Sequence, residues 1–256
     1  MKQMKFFLVA LMAVVMGMSV TSCMNGDDNT QVNDLPVLGK VKDSFLGLTF
    51  TSLDGFTFKS KNTVEGTTNF MPGDFIVATC SYDTEVDIDY TTNTINATIG
   101  STEKISGNAV YSTTKAEDEG EHPSYVSDRG VISITDLTPA MIDNYNLLVP
   151  SQYFAVEKIA RHTFFMGYYS DENELKGKTD LKLFLRHTST EEKAKETTYR
   201  AFSYRVFDIR SAIEAYKNAN EGRYPSNITI VSEANSSNND VPKTTTTTPV
   251  TYTFRE

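Results

Sequence analysis

The side chains best suited to proton transfer or ligand binding are His122, His162 and His187, two of them in the pairs Arg161-His162 and Arg186-His187. No histidine has a partner at i, i+4 or a neighbouring cysteine, the spacings that zinc ligands use. Each Arg-His pair lies in a strand-like stretch, where neighbours point to opposite faces, so one member of each pair is expected to face a core. If 162–167 and 181–187 are adjacent strands, an ion pair between Arg186 and Asp208 would tie the sheet edge to the start of a helix. The chain has no Gly-x-Ser-x-Gly, no glycine-rich phosphate loop after a strand and no His-Glu-x-x-His. Its carboxylates are plentiful, but a hydrolase needs a pair at a set separation, which abundance does not supply. Asp83, Glu85, Asp87 and Asp89 have the spacing of one solvated strand face and lack the glycine and closing glutamate of a calcium loop. The expectation is a non-enzyme, with no catalytic, metal or cofactor-binding residues. Among 13 Tyr and 15 Phe with no Trp, Tyr168 and Tyr169, beside the polar turn Asp171-Glu172-Asn173, are the candidate exposed patch. Most other rings are expected in the core.

The one residue with sharply specified chemistry is Cys23. Lys2 and Lys5 open the chain, and Phe6 to Val20 follows without a charged side chain. This run is short against the roughly 20 apolar residues of a membrane-spanning helix and has the length and flanks of an export signal. Val20-Thr21-Ser22-Cys23 resembles the lipobox of bacterial lipoproteins, which implies a cleaved signal over 1–22 and lipidation of Cys23. More than one acyl chain, palmitate among them, would then give stable anchoring. An ordinary secretory signal with an incidental cysteine and an uncleaved membrane helix are the competing readings. Cys80 would then have no mate, and its apolar-leaning setting, Phe75 to Cys80, reads as a buried small hydrophobe.

Cleavage would leave 234 of the 256 residues and move the formal charge from -9 to about -11. That charge disfavours a nucleic-acid partner, which calls for clustered Lys and Arg. Membrane association would come from the lipid.

The elements that must position these residues are nearly all strands. Residues 23–34 read as a flexible acidic tether. From Val37 to Ile99 short alternating runs are separated by turn signals such as Asp54-Gly55 and Met71-Pro72-Gly73-Asp74, and Glu85 to Tyr90 also alternates, so 35–110 reads as a small barrel or sandwich. Residues 111–124 carry four acidic residues between Glu117 and Glu121 and little to bury, and read as an acidic linker or loop. In 125–256, a short helix is expected over Thr138 to Asp143 and a long strand pattern from Tyr153 to Gly167. Leu181, Leu183 and Leu185 share one strand face, with Lys182 and Phe184 on the other. This strand and that at 201–208, around the loop from Thr188 to Thr198, are expected to pair antiparallel. Asp208 to Asn218 is the best helix, with Ile209, Ile213 and Tyr216 on one face and Asp208 as its cap. Thr244 to Thr248 is expected as a loop or edge segment.

Together the lipobox with the acidic follow-on Asp27-Asp28, the first β region, the polar middle, and Leu181-Lys182-Leu183-Phe184-Leu185-Arg186-His187 followed by Ala201 to Arg210 resemble the NigD-like lipoproteins of Bacteroidetes. The resemblance implies an all-β, mainly antiparallel chain: an OB-like N-terminal barrel and a C-terminal β-sandwich with one short helix. It also implies outer-membrane, surface-exposed placement, and no activity. The function expected is a non-catalytic structural or binding module for an envelope protein or a glycan. A bacteriocin-immunity or envelope-stress role is the alternative, and a cell-surface hydrolase stands third.

Overall fold

The computed structural model describes residues 30–65, 69–108, 110–121, 123, 125–134, 138–156, 161–191, 199–238 and 240–254. The export signal, Cys23, the first part of the tether and His122 lie outside the described residues. The chain divides after Ser106 into two compact units.

The first unit is a closed barrel. Its strands are β1 (Gln31–Asp43), β2 (Thr49–Ser52), β3 (Thr57–Ser60), β4 (Phe75–Asp83), β5 (Ile88–Asp89) and β6 (Thr94–Lys104). The order is β3-β2-β1-β4-β6-β5, and a parallel pairing of β3 with β6 closes five strands on themselves. This is the OB-like barrel that the resemblance implied. Closure bends the strands hard, and Gly39 sits where β1 meets β2: a Cβ there would run into the Phe50 ring and stand 2.8 Å from the Thr51 carbonyl oxygen. Inside, Phe50 and Phe58 stack at 5.2 Å, among Val37, Val41, Ile76, Ile95 and Ile99. Cys80 is fully buried in this core, and desolvation pushes its thiol up to about 12.

The four spaced carboxylates do not share a strand face. Asp83 ends β4, and its Oδ1 accepts the backbone N–H groups of Glu85 and Val86. Asp87 accepts from the Asp83 N–H and from Lys61, and Asp89 from the Thr91 N–H. Local side-chain-to-backbone bonds win over extended structure, so the expected strand from Glu85 to Tyr90 shrinks to Ile88–Asp89.

The second unit holds β7 (Val110–Thr113), β8 (Val131–Ser133), β9 (Ala140–Met141), β10 (Asn146–Ala155), β11 (His162–Tyr169), β12 (Asp180–Ser189), β13 (Tyr199–Asp208), β14 (Asn227–Ala234) and β15 (Thr244–Thr251). They form one nine-stranded sheet, β13-β10-β8-β14-β12-β11-β7, with β15 on β14 and β9 on β10. The sandwich-like core is enclosed by this one sheet and the helix α3 (Arg210–Ala219), two short turns α1 (Lys115–Asp118) and α2 (Glu172–Leu175) completing the elements. Leu181, Leu183 and Leu185 are buried in that core with Ile213 and Tyr216 of α3, while Lys182 is exposed. The threonine run is the outer strand β15.

Several local expectations change. Residues 110–118 belong to the sheet unit: β7 pairs in parallel with β11, and Thr114 caps α1 through a reciprocal bond with Glu117. No helix forms over Thr138 to Asp143: Thr138 has a left-handed backbone (φ 57), Ala140–Met141 is strand β9, and the Asp143 carboxylate accepts the N–H groups of Tyr145 and Asn146 where β9 turns back onto β10. The stretch from Tyr153 to Gly167 is split between β10 and β11. The strands at 181–187 and 201–208 are not partners: β12 lies between β11 and β14, and β13 pairs with β10. Helix α3 starts at Arg210, with Ile209 at the cap position, and Asp208 accepts the Arg210 N–H from outside the helix.

Candidate functional site

The antiparallel register of β11 and β12 sets Phe164 opposite His187 and Phe165 opposite Arg186. Alternation then sends one ladder inward and the other outward. Both members of Arg186-His187 are buried, one on each face of the sheet, whereas Arg161 is exposed and His162 buried.

On the inner face, His162 Nδ1 lies 2.9 Å from His187 Nε2, and His162 Nε2 lies 2.9 Å from Glu191 Oε2. Glu191 Oε2 also accepts the Val156 N–H at 2.8 Å. Burial pushes His187 down to about 3, aided by repulsion from His162, and burial lowers His162 despite the opposing pull of Glu191. Burial thus keeps both rings neutral, and each of these short contacts joins one N–H to one acceptor. The composition is that of an acid–base relay, but the side chains are sealed from solvent, so it acts as a polar bracket joining β11, β12 and the residues after them.

The outer face carries the candidate site. Arg186 Nη2 is 2.8 Å from Asp118 Oδ2 in α1, and Nη1 is 3.1 Å from Glu233 Oε1 in β14. The guanidinium also lies over the Phe184 ring at 5.5 Å. Burial disfavours its charge, and Glu233 and Asp118 outweigh that cost, so its pKa is raised. The Tyr169 hydroxyl donates to Asp118 Oδ2 at 2.8 Å. Gly167 is where Tyr111 of β7 crosses β11, and a Cβ there would stand 2.6 Å from the Tyr111 ring. Tyr125 stacks on Tyr111 at 3.6 Å between centroids, with Phe165 5.8 Å from Tyr111. Burial pushes the Tyr111 hydroxyl up to about 12.

This arrangement corrects two sequence-based expectations. Arg186 does not pair with Asp208, which is mostly exposed and lies 3.8 Å from Arg210. The strand carrying Asp208 is not next to the one carrying Arg186. Tyr168 and Tyr169 are not an exposed patch: Tyr168 is buried in the core, and Tyr169 is half-buried against Phe184 and bonded to Asp118. On this face of the sheet the accessible ring is Tyr125, 41% exposed, with the exposed Val126 beside it. Sequence reading missed Asp118, Tyr111 and Glu233. The Thr114-x-x-Glu117 capping box was the available signal that the acidic stretch is ordered.

No family model and no curated protein matches the chain. Solved structures do resemble it. A candidate lipoprotein from Bacteroides fragilis matches 88% of this chain and all of its own, at 21% identity and a TM-score of 0.66. An uncharacterised protein from Parabacteroides merdae matches 87% of this chain and all of its own, at 16% identity and a TM-score of 0.51. A protein of unknown function from Bacteroides vulgatus, of the DUF1344 group, matches 86% of this chain and 90% of its own, at 8% identity and a TM-score of 0.53. At these identities the likeness is one of fold, and it extends over both units.

Proposed function

We propose that this chain is a lipid-anchored envelope protein of the NigD-like type, held at the outer membrane through Cys23, surface-exposed, and working as a non-catalytic binding module. Its partner is an envelope protein or a glycan. The anchor rests on the pattern from Lys2 to Cys23, and the description of the Bacteroides fragilis neighbour as a candidate lipoprotein agrees in kind. The binding role is carried by one observation, the half-exposed Tyr125 ring stacked on Tyr111 beside the Arg186–Glu233 pair. A flat aromatic face held rigidly from below suits recognition at low entropic cost.

Two measurements test this. Cys23→Ala should move the protein out of the membrane fraction with both β units folded; persistence at the membrane overturns the anchor. Cross-linked pull-down of the lipidated protein should recover an envelope partner or glycan that Tyr125→Ala loses. Equal recovery by Tyr125→Ala would remove that face from the binding role.

A further inference from the structure

Tyr111 and Tyr125 stack with ring centroids 3.6 Å apart and planes 23° from parallel. At that separation the carbons flanking each hydroxyl lie in van der Waals contact with those of the other ring, whichever way the hydroxyls point. Three neighbours hold the pair. Gly167 leaves the slot on β11 that the Tyr111 ring fills, the Arg186 guanidinium bonds the Tyr111 hydroxyl, and Phe165 lies 5.8 Å from Tyr111 and 5.9 Å from Tyr125. Tyr111 is half-buried, whereas Tyr125 is 41% exposed. One ring is open to a reagent in solution, and the second is fixed directly behind it.

We propose that Tyr111 and Tyr125 are an oxidative cross-linking site, coupled to dityrosine by hydrogen peroxide acting through a one-electron oxidant such as a haem peroxidase. Each phenol loses one electron and its hydroxyl proton, and the peroxide takes up both electrons and both protons to become two waters. The two phenoxyl radicals then join through a new bond between ring carbons beside the oxygens. Each of those carbons gives up its hydrogen as a proton while the oxygen regains one and the ring its aromaticity. The pair has lost two hydrogen atoms in all, and no leaving group departs. Holding the rings in contact makes the coupling intramolecular, the condition under which such steps run fastest. A second tyrosine pair, Tyr224 and Tyr252, is 6.2 Å apart with Tyr252 buried, so neither contact nor access favours coupling there.

The link would brace a unit that disulfides cannot. Gly107–Glu256 contains no cysteine. A bond from Tyr111 to Tyr125 closes a loop around α1, whose Asp118 holds Arg186, and ties the edge strand β7 to the chain beyond α1. Such a closure restricts the unfolded chain as a disulfide does. The proposal is independent of the lipid anchor and of any binding partner, because the purified protein suffices to show the reaction.

The purified full chain, treated with hydrogen peroxide and a haem peroxidase, should gain dityrosine fluorescence while remaining a monomer. Trypsin cuts after Lys104, Lys115 and Arg129, so Tyr111 and Tyr125 each fall in a peptide with no second tyrosine. Mass spectrometry should find those two peptides joined with the loss of two hydrogen atoms, at a yield above any other tyrosine pairing by at least about tenfold. Tyr125→Phe keeps a stacked ring and should abolish the product, while Tyr224→Phe should leave its yield unchanged. The linked monomer should unfold at a higher urea concentration than untreated protein. The proposal would be overturned by absence of the joined peptides, by an equal yield of the monomer product in Tyr125→Phe, or by products that are only dimers formed through the exposed Tyr90 and Tyr199. An unchanged urea midpoint of the linked monomer would overturn the bracing role.

Discussion

Arg186 and Asp118 meet at 2.8 Å across 68 residues of sequence, the guanidinium of a sheet strand closing on the last residue of a one-turn helix. Both side chains are more than nine-tenths buried, so each takes its compensation from the other and not from water. Removing one member of such a pair typically costs about 3–5 kcal/mol, because the survivor is left without compensation. Arg186→Met strands both Asp118 and Glu233 and should lower stability to urea by about 3 kcal/mol. Asp208→Ala, at an exposed position, should stay within about 0.5 kcal/mol. Equal losses from the two substitutions would contradict the pairing.

His187 makes the fold acid-sensitive in a defined window. Its pKa in the folded chain is about 3, against about 6.5 when unfolded. Between those values the unfolded state binds a proton that the folded state refuses, so stability falls as pH drops below about 6.5 and the loss is complete near pH 3. The slope contributed should be roughly 1 kcal/mol per pH unit. Denaturation midpoints of His187→Leu should therefore depend less on pH between 6 and 4 than those of the parent chain, even though the variant is less stable at pH 7.

Gly39→Ala and Gly167→Ala test close approaches in different units. The first drives a methyl into the Phe50 ring and the Thr51 carbonyl oxygen where β1 meets β2, the second into the Tyr111 ring. Each should cost about 1–3 kcal/mol. Only Gly167→Ala should also perturb the near-ultraviolet dichroism of the Tyr111–Tyr125 stack. If Gly39→Ala altered that signal and Gly167→Ala did not, the placement of Tyr111 would be wrong.

Cys80 should resist a thiol reagent in the native protein, since it is both fully buried and held protonated at neutral pH. Reaction should follow unfolding, with full modification in denaturant. Rapid labelling of the native chain would show that the barrel opens locally far more easily than its closed strand order implies.

Much of the fold was legible because its signals are local. The leucines at 181, 183 and 185 and the turns at Asp54-Gly55 and Gly73 each mark their own element, and the structure places them as their period and turn chemistry require. Local chemistry also explains two misreadings. Asp83, Asp87 and Asp143 spend their carboxylates on nearby backbone N–H groups, a competition that apolar periodicity does not register. The acidic run near Glu117 reads as solvated by composition, yet one capping box orders it.

By itself the sequence determined the strand-rich class, the places of the principal turns, and the chemistry expected of Cys23. Each depends on residue type over a short window. Tertiary structure decided which strands are neighbours, and with that which charges meet. Arg186 could have faced Asp208 had β12 and β13 paired. The sheet order sets β12 between β11 and β14, and so delivers Asp118 and Glu233 instead. Ion pairing falls off within a few ångströms once solvent can intervene, so the partner is whichever carboxylate the topology brings closest, and side-chain period carries no information about that.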